Sequence, residues 1–120
     1  DAVAVAVPTF SAYAHFARLA GATVTELPLT ASFDLDPDRI INDLKGDSSF
    51  KLLFLCTPNN PTGNAVEPGD ILRIADALPD VMILADEAYL EFSTTPSLAG
   101  AALERPNLLV LKTLSKAWGL

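Results

Sequence analysis

A lysine in one segment of this chain has neighbours that could give its amine a chemical role. Lys116 follows an apolar run, and two hydroxyl side chains, Thr113 and Ser115, lie just before it. A lysine becomes a nucleophile when partial desolvation and polar neighbours depress its pKa, and hydroxyls at such a position suit a phosphate. A lone lysine is more often a solvated surface residue, and Ser115 could equally cap the next helix. The neighbours of Lys116 nevertheless favour an amine nucleophile.

Asp86 is a candidate partner for a charged ring. It follows another apolar run, in the segment Leu84-Ala85-Asp86-Glu87-Ala88-Tyr89. There it could simply cap a following turn, or it could pair with a ring nitrogen and keep that nitrogen protonated. Glu87 points to the opposite face if the segment is still extended, so it is not assigned to the site.

Three further residues follow apolar runs and could hold a flat ring. Asn60 lies in a loop rich in Pro, Asn and Gly; most such loops are only turns, yet a rigid turn also holds an amide towards a ligand. Tyr89 could be packing or could offer its phenol to a ring hydroxyl. Phe10 could belong to the core, but its position suits stacking on a ring.

Five short apolar segments predict the strands that would position these residues: 2–7, 23–27, 51–56, 81–85 and 108–112. Helical spacing predicts helices at 11–19, 37–44 and 68–78. Asp36 is the predicted cap of the second helix. The first helix should carry one apolar side formed by Tyr13, Phe16, Ala17 and Ala20.

These elements predict an α/β fold with three layers, in which helices cover both faces of a mainly parallel sheet. No hairpin turn separates neighbouring strands, and parallel strands need helices or long crossovers between them. Ligands of such sheets bind beyond the carboxyl ends of the strands. Four of the five predicted strands are followed there by polar or aromatic residues. We therefore predict a site at that edge.

The composition argues against several kinds of partner. The chain has 120 residues, of which 50% are hydrophobic and 19% charged, as is typical of one globular domain. Asp and Glu number 15 against 8 Lys and Arg, without a basic cluster, so neither nucleic acid nor a membrane surface is an expected partner. The single cysteine, Cys56, fits a reducing compartment, and we expect a cytoplasmic location. No metal site is predicted.

Three motifs in order resemble the fold-type I pyridoxal-phosphate-dependent aminotransferases: Asn60-Pro61-Thr62-Gly63, Asp86-Glu87-Ala88-Tyr89 and Ser115-Lys116. The segments 8–10, 58–64 and 113–120 are most similar to the histidinol-phosphate aminotransferase branch. Each motif alone is a weak signal, but the resemblance runs the whole length of the chain. It implies part of the large, cofactor-binding domain over residues 1–120, with strand order 5-4-3-1-2. The phosphate loop would precede residue 1 and the small domain would follow residue 120.

The resemblance also implies roles for four polar residues. Lys116 would bind pyridoxal 5'-phosphate as a Schiff base and later move a proton between substrate and cofactor. Asp86 would pair with the pyridinium nitrogen. Asn60 and Tyr89 would hydrogen-bond the ring hydroxyl, and Lys116, Asp86 and Tyr89 would form the catalytic set.

Four other residues would contact the rest of the cofactor. Phe10 would stack on one ring face and Ala88 would pack against the other, while Thr113 and Ser115 would meet the phosphate. A cis peptide bond is predicted at Asn60–Pro61, with Val7–Pro8 as a second candidate, since X–Pro bonds reach the cis form for only about 0.5–1 kcal/mol.

The implied reaction moves an amino group from L-histidinol phosphate to 2-oxoglutarate in histidine biosynthesis, in a homodimer with sites shared between subunits. We expect the segment alone to be inactive. Alternatives are an aromatic amino acid aminotransferase, a decarboxylase or carbon–sulfur lyase of the same fold, a cofactor-binding regulator domain without turnover, and an α/β domain with coincidental motifs. Lys116, Asp86 and Tyr89 would serve the aminotransferase, decarboxylase and lyase reactions alike, because these share carbanion chemistry. What separates the reactions is how the substrate bonds are oriented to the ring.

Overall fold

The computed structural model describes all of residues 1–120 as an α/β domain. Its strands are β1 (Ala2–Val7), β2 (Thr23–Pro28), β3 (Phe50–Cys56), β4 (Met82–Asp86) and β5 (Leu108–Leu111). Its helices are α1 (Ala12–Leu19), α2 (Pro37–Leu44), α3 (Pro68–Ala77) and α4 (Ala99–Ala102), with a 3-10 turn at Leu90–Phe92. Every predicted element is present with each end within one residue of its prediction. The 3-10 turn and α4 were not predicted, because such short segments show no periodicity.

The five strands form one sheet in the order β2-β1-β3-β4-β5, and every neighbouring pair is parallel. The predicted order is the same one read from the opposite edge, so it is confirmed. The register pairs Cys56 with Asp86, and Asp86 with Leu111. The carboxyl ends of β3, β4 and β5 therefore lie side by side.

The core lies where α2 and α3 cover the central strands. Its fully buried large side chains include Leu53, Leu55, Ile71, Ile74 and Ile83. Each such side chain contributes about 1.5–3 kcal/mol by leaving water. The start of α2 follows the prediction, since the Asp36 carboxylate accepts a hydrogen bond from the Arg39 N–H at 3.0 Å.

The apolar side predicted on α1 is not the side that the helix buries. Ala14 is the residue that this helix buries, whereas Phe16 is 65% exposed and Ala20 is also exposed. Tyr13 instead turns towards the carboxyl edge of the sheet, where its ring stacks on Phe54 with centroids 4.9 Å apart.

The longest helix, α3, has only 10 residues, and none of the helices combines the length and apolar character that crossing a membrane requires.

Candidate active site

Six of the predicted site residues line one small cavity at the carboxyl edge of the sheet. Its volume is about 90 Å³, and the residues around it come from α1, from the last residues of β3 and β4, and from the segments that follow β1, β3, β4 and β5. The lining consists of Phe10, Tyr13, Cys56, Asn60, Asp86, Ala88, Tyr89 and Lys116. The structure thus brings together residues that are up to 106 positions apart, from 10 to 116. Thr113 and Ser115 are predicted site residues that do not line this cavity.

Asp86 is the last residue of β4, and its side chain is held from two directions. The residue is 6% exposed. Its Oδ2 accepts a hydrogen bond from the Tyr13 hydroxyl, and its Oδ1 accepts one from the Ala88 N–H at 3.0 Å. The second bond is the turn-capping contact considered from the sequence. Asp86 therefore caps a turn and also borders the cavity.

Tyr13 is a site residue that the sequence interpretation missed. Its ring is stacked on Phe54 and meets Phe10 edge-on, with centroids 5.6 Å apart. Burial, and next the hydrogen bond to Asp86, raise the pKa of the Tyr13 hydroxyl far above its usual range. The hydroxyl therefore stays protonated and acts as a donor at ordinary pH. Its position three residues after Phe10, in the first turn of α1, is the signal that could have identified it.

The loop after β3 uses its two neighbouring asparagines differently. The Asn59 amide is fully engaged: its oxygen accepts from the Thr9 hydroxyl at 2.7 Å, and its nitrogen donates to the Pro8 carbonyl at 2.8 Å and to Thr62 Oγ1 at 2.9 Å. These bonds tie the loop to the end of β1. Asn60 is left to line the cavity. The rigid loop expected from the sequence is therefore built by Asn59.

Three X–Pro bonds near this edge are cis. Asn60–Pro61 and Val7–Pro8 agree with the predictions, and Thr57–Pro58 was not predicted.

Lys116 reaches the cavity from the segment after β5. Its Nζ lies 5.7 Å from the centroid of the Tyr89 ring, within the range of a cation–π contact. Before it, the Thr113 and Ser115 hydroxyl oxygens are 2.8 Å apart, and Thr113 Oγ1 accepts the Ser115 N–H at 3.1 Å. Ser115 is exposed and Thr113 is partly exposed, and the contact of their hydroxyls with a phosphate stays a prediction.

Glu87, the residue that follows β4, is buried and does not line the cavity. It is 1% exposed and accepts hydrogen bonds from the Ser97 hydroxyl at 2.5 Å and the Leu98 N–H at 2.7 Å. The Lys112 amine lies 3.7 Å from the same carboxylate. Glu87 thus secures the start of α4, in agreement with its exclusion from the predicted site.

The Cys56 thiol also borders the cavity. It is buried at the end of β3, and burial raises its pKa. His15 is exposed on α1, and its ring meets the ring of Phe16 edge-on. The structure contains no group of three or more His, Cys, Asp or Glu residues arranged to hold a metal ion.

A second, larger cavity adjoins the first and shares Asn60 and Tyr89 with it. Its volume is about 630 Å³, and its far wall includes Phe92, Ser93 and Thr94. Pockets for small molecules typically measure about 300–1,000 Å³. Asn60 and Tyr89 therefore border both cavities. The small one is lined by the Lys116 amine and the Asp86 carboxylate, and the larger one could admit a small molecule.

Comparison with known proteins identifies the family. The family model for aminotransferase class I and II matches residues 1–120. The histidinol-phosphate aminotransferase of Cytophaga hutchinsonii is 37% identical over 120 residues, which are 100% of this chain and 34% of that protein. The chain spans about a third of the length of the curated relatives that it matches.

Solved structures agree with this comparison in fold. A putative histidinol-phosphate aminotransferase from Erwinia carotovora matches 95% of this chain and 35% of its own, at a TM-score of 0.83 and 29% identity. The L-threonine-O-3-phosphate decarboxylase of Porphyromonas gingivalis matches 99% and 34%, at a TM-score of 0.81 and 26% identity. With the family model matching from end to end, this chain belongs to the class I and II aminotransferase family.

Proposed function

We propose that the full-length protein is a pyridoxal-phosphate-dependent aminotransferase, and that this chain supplies most contacts to the cofactor ring. The observation that carries the proposal is the convergence of Asn60, Asp86, Tyr89 and Lys116 on one cavity. When bound, pyridoxal phosphate supplies an electron sink that stabilises negative charge on the carbon next to a substrate amino group.

The chemistry of the donor set fits that cofactor. The cavity offers a carboxylate, Asp86, for a protonated ring nitrogen, and an amide and a phenol, Asn60 and Tyr89, for a ring oxygen. Lys116 offers a primary amine for an aldehyde, and Phe10 offers an aromatic face. The ring nitrogen, the ring oxygen, the aldehyde and one face of the ring therefore each have a partner of suitable chemistry in this chain.

These side chains have separate tasks in the proposed reaction. The Lys116 amine would hold the cofactor through its aldehyde carbon and, when free, would act as the base that takes the proton from the substrate α-carbon and delivers it to the cofactor. Asp86 keeps the ring nitrogen protonated through its negative charge. Asn60 and Tyr89 orient the ring edge, and Phe10 and Ala88 enclose its faces. Thr113 and Ser115 bind the phosphate with their hydroxyls.

For the substrates, we propose L-histidinol phosphate as amino donor and 2-oxoglutarate as acceptor, which places the protein in histidine biosynthesis. The names of the curated relatives support this donor. The family resemblance supports a cytoplasmic homodimer. A second candidate is decarboxylation of an amino acid, which is favoured by the likeness to the L-threonine-O-3-phosphate decarboxylase.

Borohydride labelling tests the assignment of Lys116. The full-length protein is mixed with pyridoxal phosphate, reduced with borohydride, digested and mapped by mass spectrometry. We expect the added mass on Lys116 and not on Lys45, Lys51 or Lys112. The Lys116→Ala variant should lose the label and Lys51→Ala should keep it. A label at another lysine, with Lys116 unmodified, would contradict the proposal.

Product analysis separates the two candidate reactions. With L-histidinol phosphate and 2-oxoglutarate, the proposed activity forms glutamate and releases no carbon dioxide. Phenylalanine and tyrosine serve as competing donors, and L-threonine O-3-phosphate tests for decarboxylation. Release of carbon dioxide without glutamate would replace the aminotransferase proposal with the second candidate.

A further inference from the structure

Tyr13 supplies one of the two hydrogen bonds that hold the Asp86 carboxylate. The Ala88 N–H occupies Oδ1 and the Tyr13 hydroxyl occupies Oδ2. The first donor belongs to the main chain of the following turn, so it is present whatever side chain lies nearby. The second depends on one side chain that comes from a different element, 73 residues earlier in the chain.

The Tyr13 hydroxyl is placed by aromatic packing and not by Asp86 alone. Its ring lies nearly parallel to Phe54, at an interplanar angle of 12°, and nearly perpendicular to Phe10, at 89°. Aromatic contacts of this kind contribute about 0.5–1.5 kcal/mol beyond burial. The ring is therefore fixed on two sides, and its hydroxyl presents a donor at a defined point.

The groups that face this hydroxyl favour its protonated form. The Asp86 carboxylate and the Cys56 thiol are the titratable groups beside it, and burial together with both of them raises the pKa of Tyr13. A phenol that stays neutral donates a hydrogen bond to the carboxylate throughout the pH range in which an aminotransferase would work.

We propose that Tyr13 is a positioning residue that orients the Asp86 carboxylate towards the ring nitrogen of the bound cofactor. This inference rests on the proposed function. With Oδ1 and Oδ2 each held by one donor, the carboxylate has little freedom to rotate, and it keeps lone pairs for a third partner. Removal of the hydroxyl leaves the Ala88 N–H as the single restraint, so the pairing with the ring nitrogen weakens.

The Tyr13→Phe variant of the full-length protein tests this role. Phenylalanine keeps the ring and its contacts with Phe54 and Phe10, and it removes only the hydroxyl. We expect pyridoxal phosphate to bind about tenfold more weakly, the loss of one hydrogen bond to a charged group. The pH midpoint of the cofactor's absorption should shift, and kcat should fall while KM for the amino donor changes little. His15→Gln, on the exposed side of the same helix, is the control and should match wild type.

A double-mutant cycle with Asp86→Ala decides whether Tyr13 acts through Asp86. If it does, Tyr13→Phe loses its effect on cofactor affinity and absorption in the Asp86→Ala background. An equal loss in both backgrounds, or an unchanged affinity and absorption midpoint in Tyr13→Phe alone, overturns the inference. Labelling of Lys116 in the same preparations keeps the two proposals apart. A labelled Lys116 without coupling refutes only the role of Tyr13, whereas an unlabelled Lys116 refutes the proposed function.

Discussion

The Asp86→Asn substitution removes one charge from the site and leaves its shape almost unchanged. Asparagine keeps an oxygen that can accept the Ala88 N–H, now bound at 3.0 Å. Its amide nitrogen then meets the Tyr13 hydroxyl, whose oxygen can accept as well as donate a hydrogen bond. We therefore expect the variant to fold and to bind the cofactor.

The loss of rate follows from the charge and from its burial. Asp86 is 6% exposed, so water screens its charge little. Two opposite unit charges about 4 Å apart attract by about 4 kcal/mol at an effective dielectric constant of about 20. Each 1.4 kcal/mol corresponds to about a tenfold change in rate. If most of this attraction develops while the ring withdraws electrons, turnover should fall by about 10³-fold.

Single-turnover kinetics on the full-length protein measure this loss without interference from product release. Asp80→Asn, which changes an exposed carboxylate, is the matched control and should retain the wild-type rate. Borohydride labelling of Lys116 shows whether the variant still holds the cofactor. A labelled Asp86→Asn protein whose rate lies within about threefold of wild type would refute the reasoning, and Asp86 would be only a turn cap.

Two further predictions concern stability. Leu53→Ala removes a fully buried side chain of β3 and should lower the free energy of unfolding by about 2–5 kcal/mol. The control Leu103→Ala, at a residue 90% exposed, should change it by at most about 0.5 kcal/mol. Urea denaturation of the full-length protein measures both changes. Folding raises the pKa of Tyr13, so the folded state favours the neutral phenol. This preference contributes fully to the free energy of unfolding below the unfolded pKa of about 10, and the contribution is lost as pH rises above that value. Between about pH 8 and 10.5, wild type should therefore lose more stability than Tyr13→Phe; equal losses would show that Tyr13 does not contribute.

The sequence determined the helices and strands and their ends, because proline and glycine residues mark where these elements begin or end. Pro8 follows β1, Gly21 follows α1 with φ of 82°, and Pro37 and Pro68 begin α2 and α3. Each is a backbone preference that acts within a few residues, so it can be recognised without the fold. The strand order came from the family resemblance and not from the local pattern.

The residues at the strand ends could also be identified in advance. Parallel strands place their carboxyl ends at one edge, so Asn60, Asp86 and Lys116 were expected to converge there, and the structure brings them to one cavity. It does not bring Thr113 and Ser115 into that lining, and their hydroxyls pair with each other in the turn before Lys116.

Only the tertiary structure decided what Tyr13 does. Helical spacing placed it on an apolar side with Phe16, and in the sequence both are simply aromatic residues of one short helix. The structure exposes Phe16 and directs Tyr13 to a carboxylate 73 residues away. That contact depends on the packing of α1 on β1. It also depends on the registers of the parallel pairs β1–β3 and β3–β4, which set the position of β4 relative to β1. Periodicity encodes which way a side chain points from its own helix, but a partner so distant along the chain is set by the packing of several elements together.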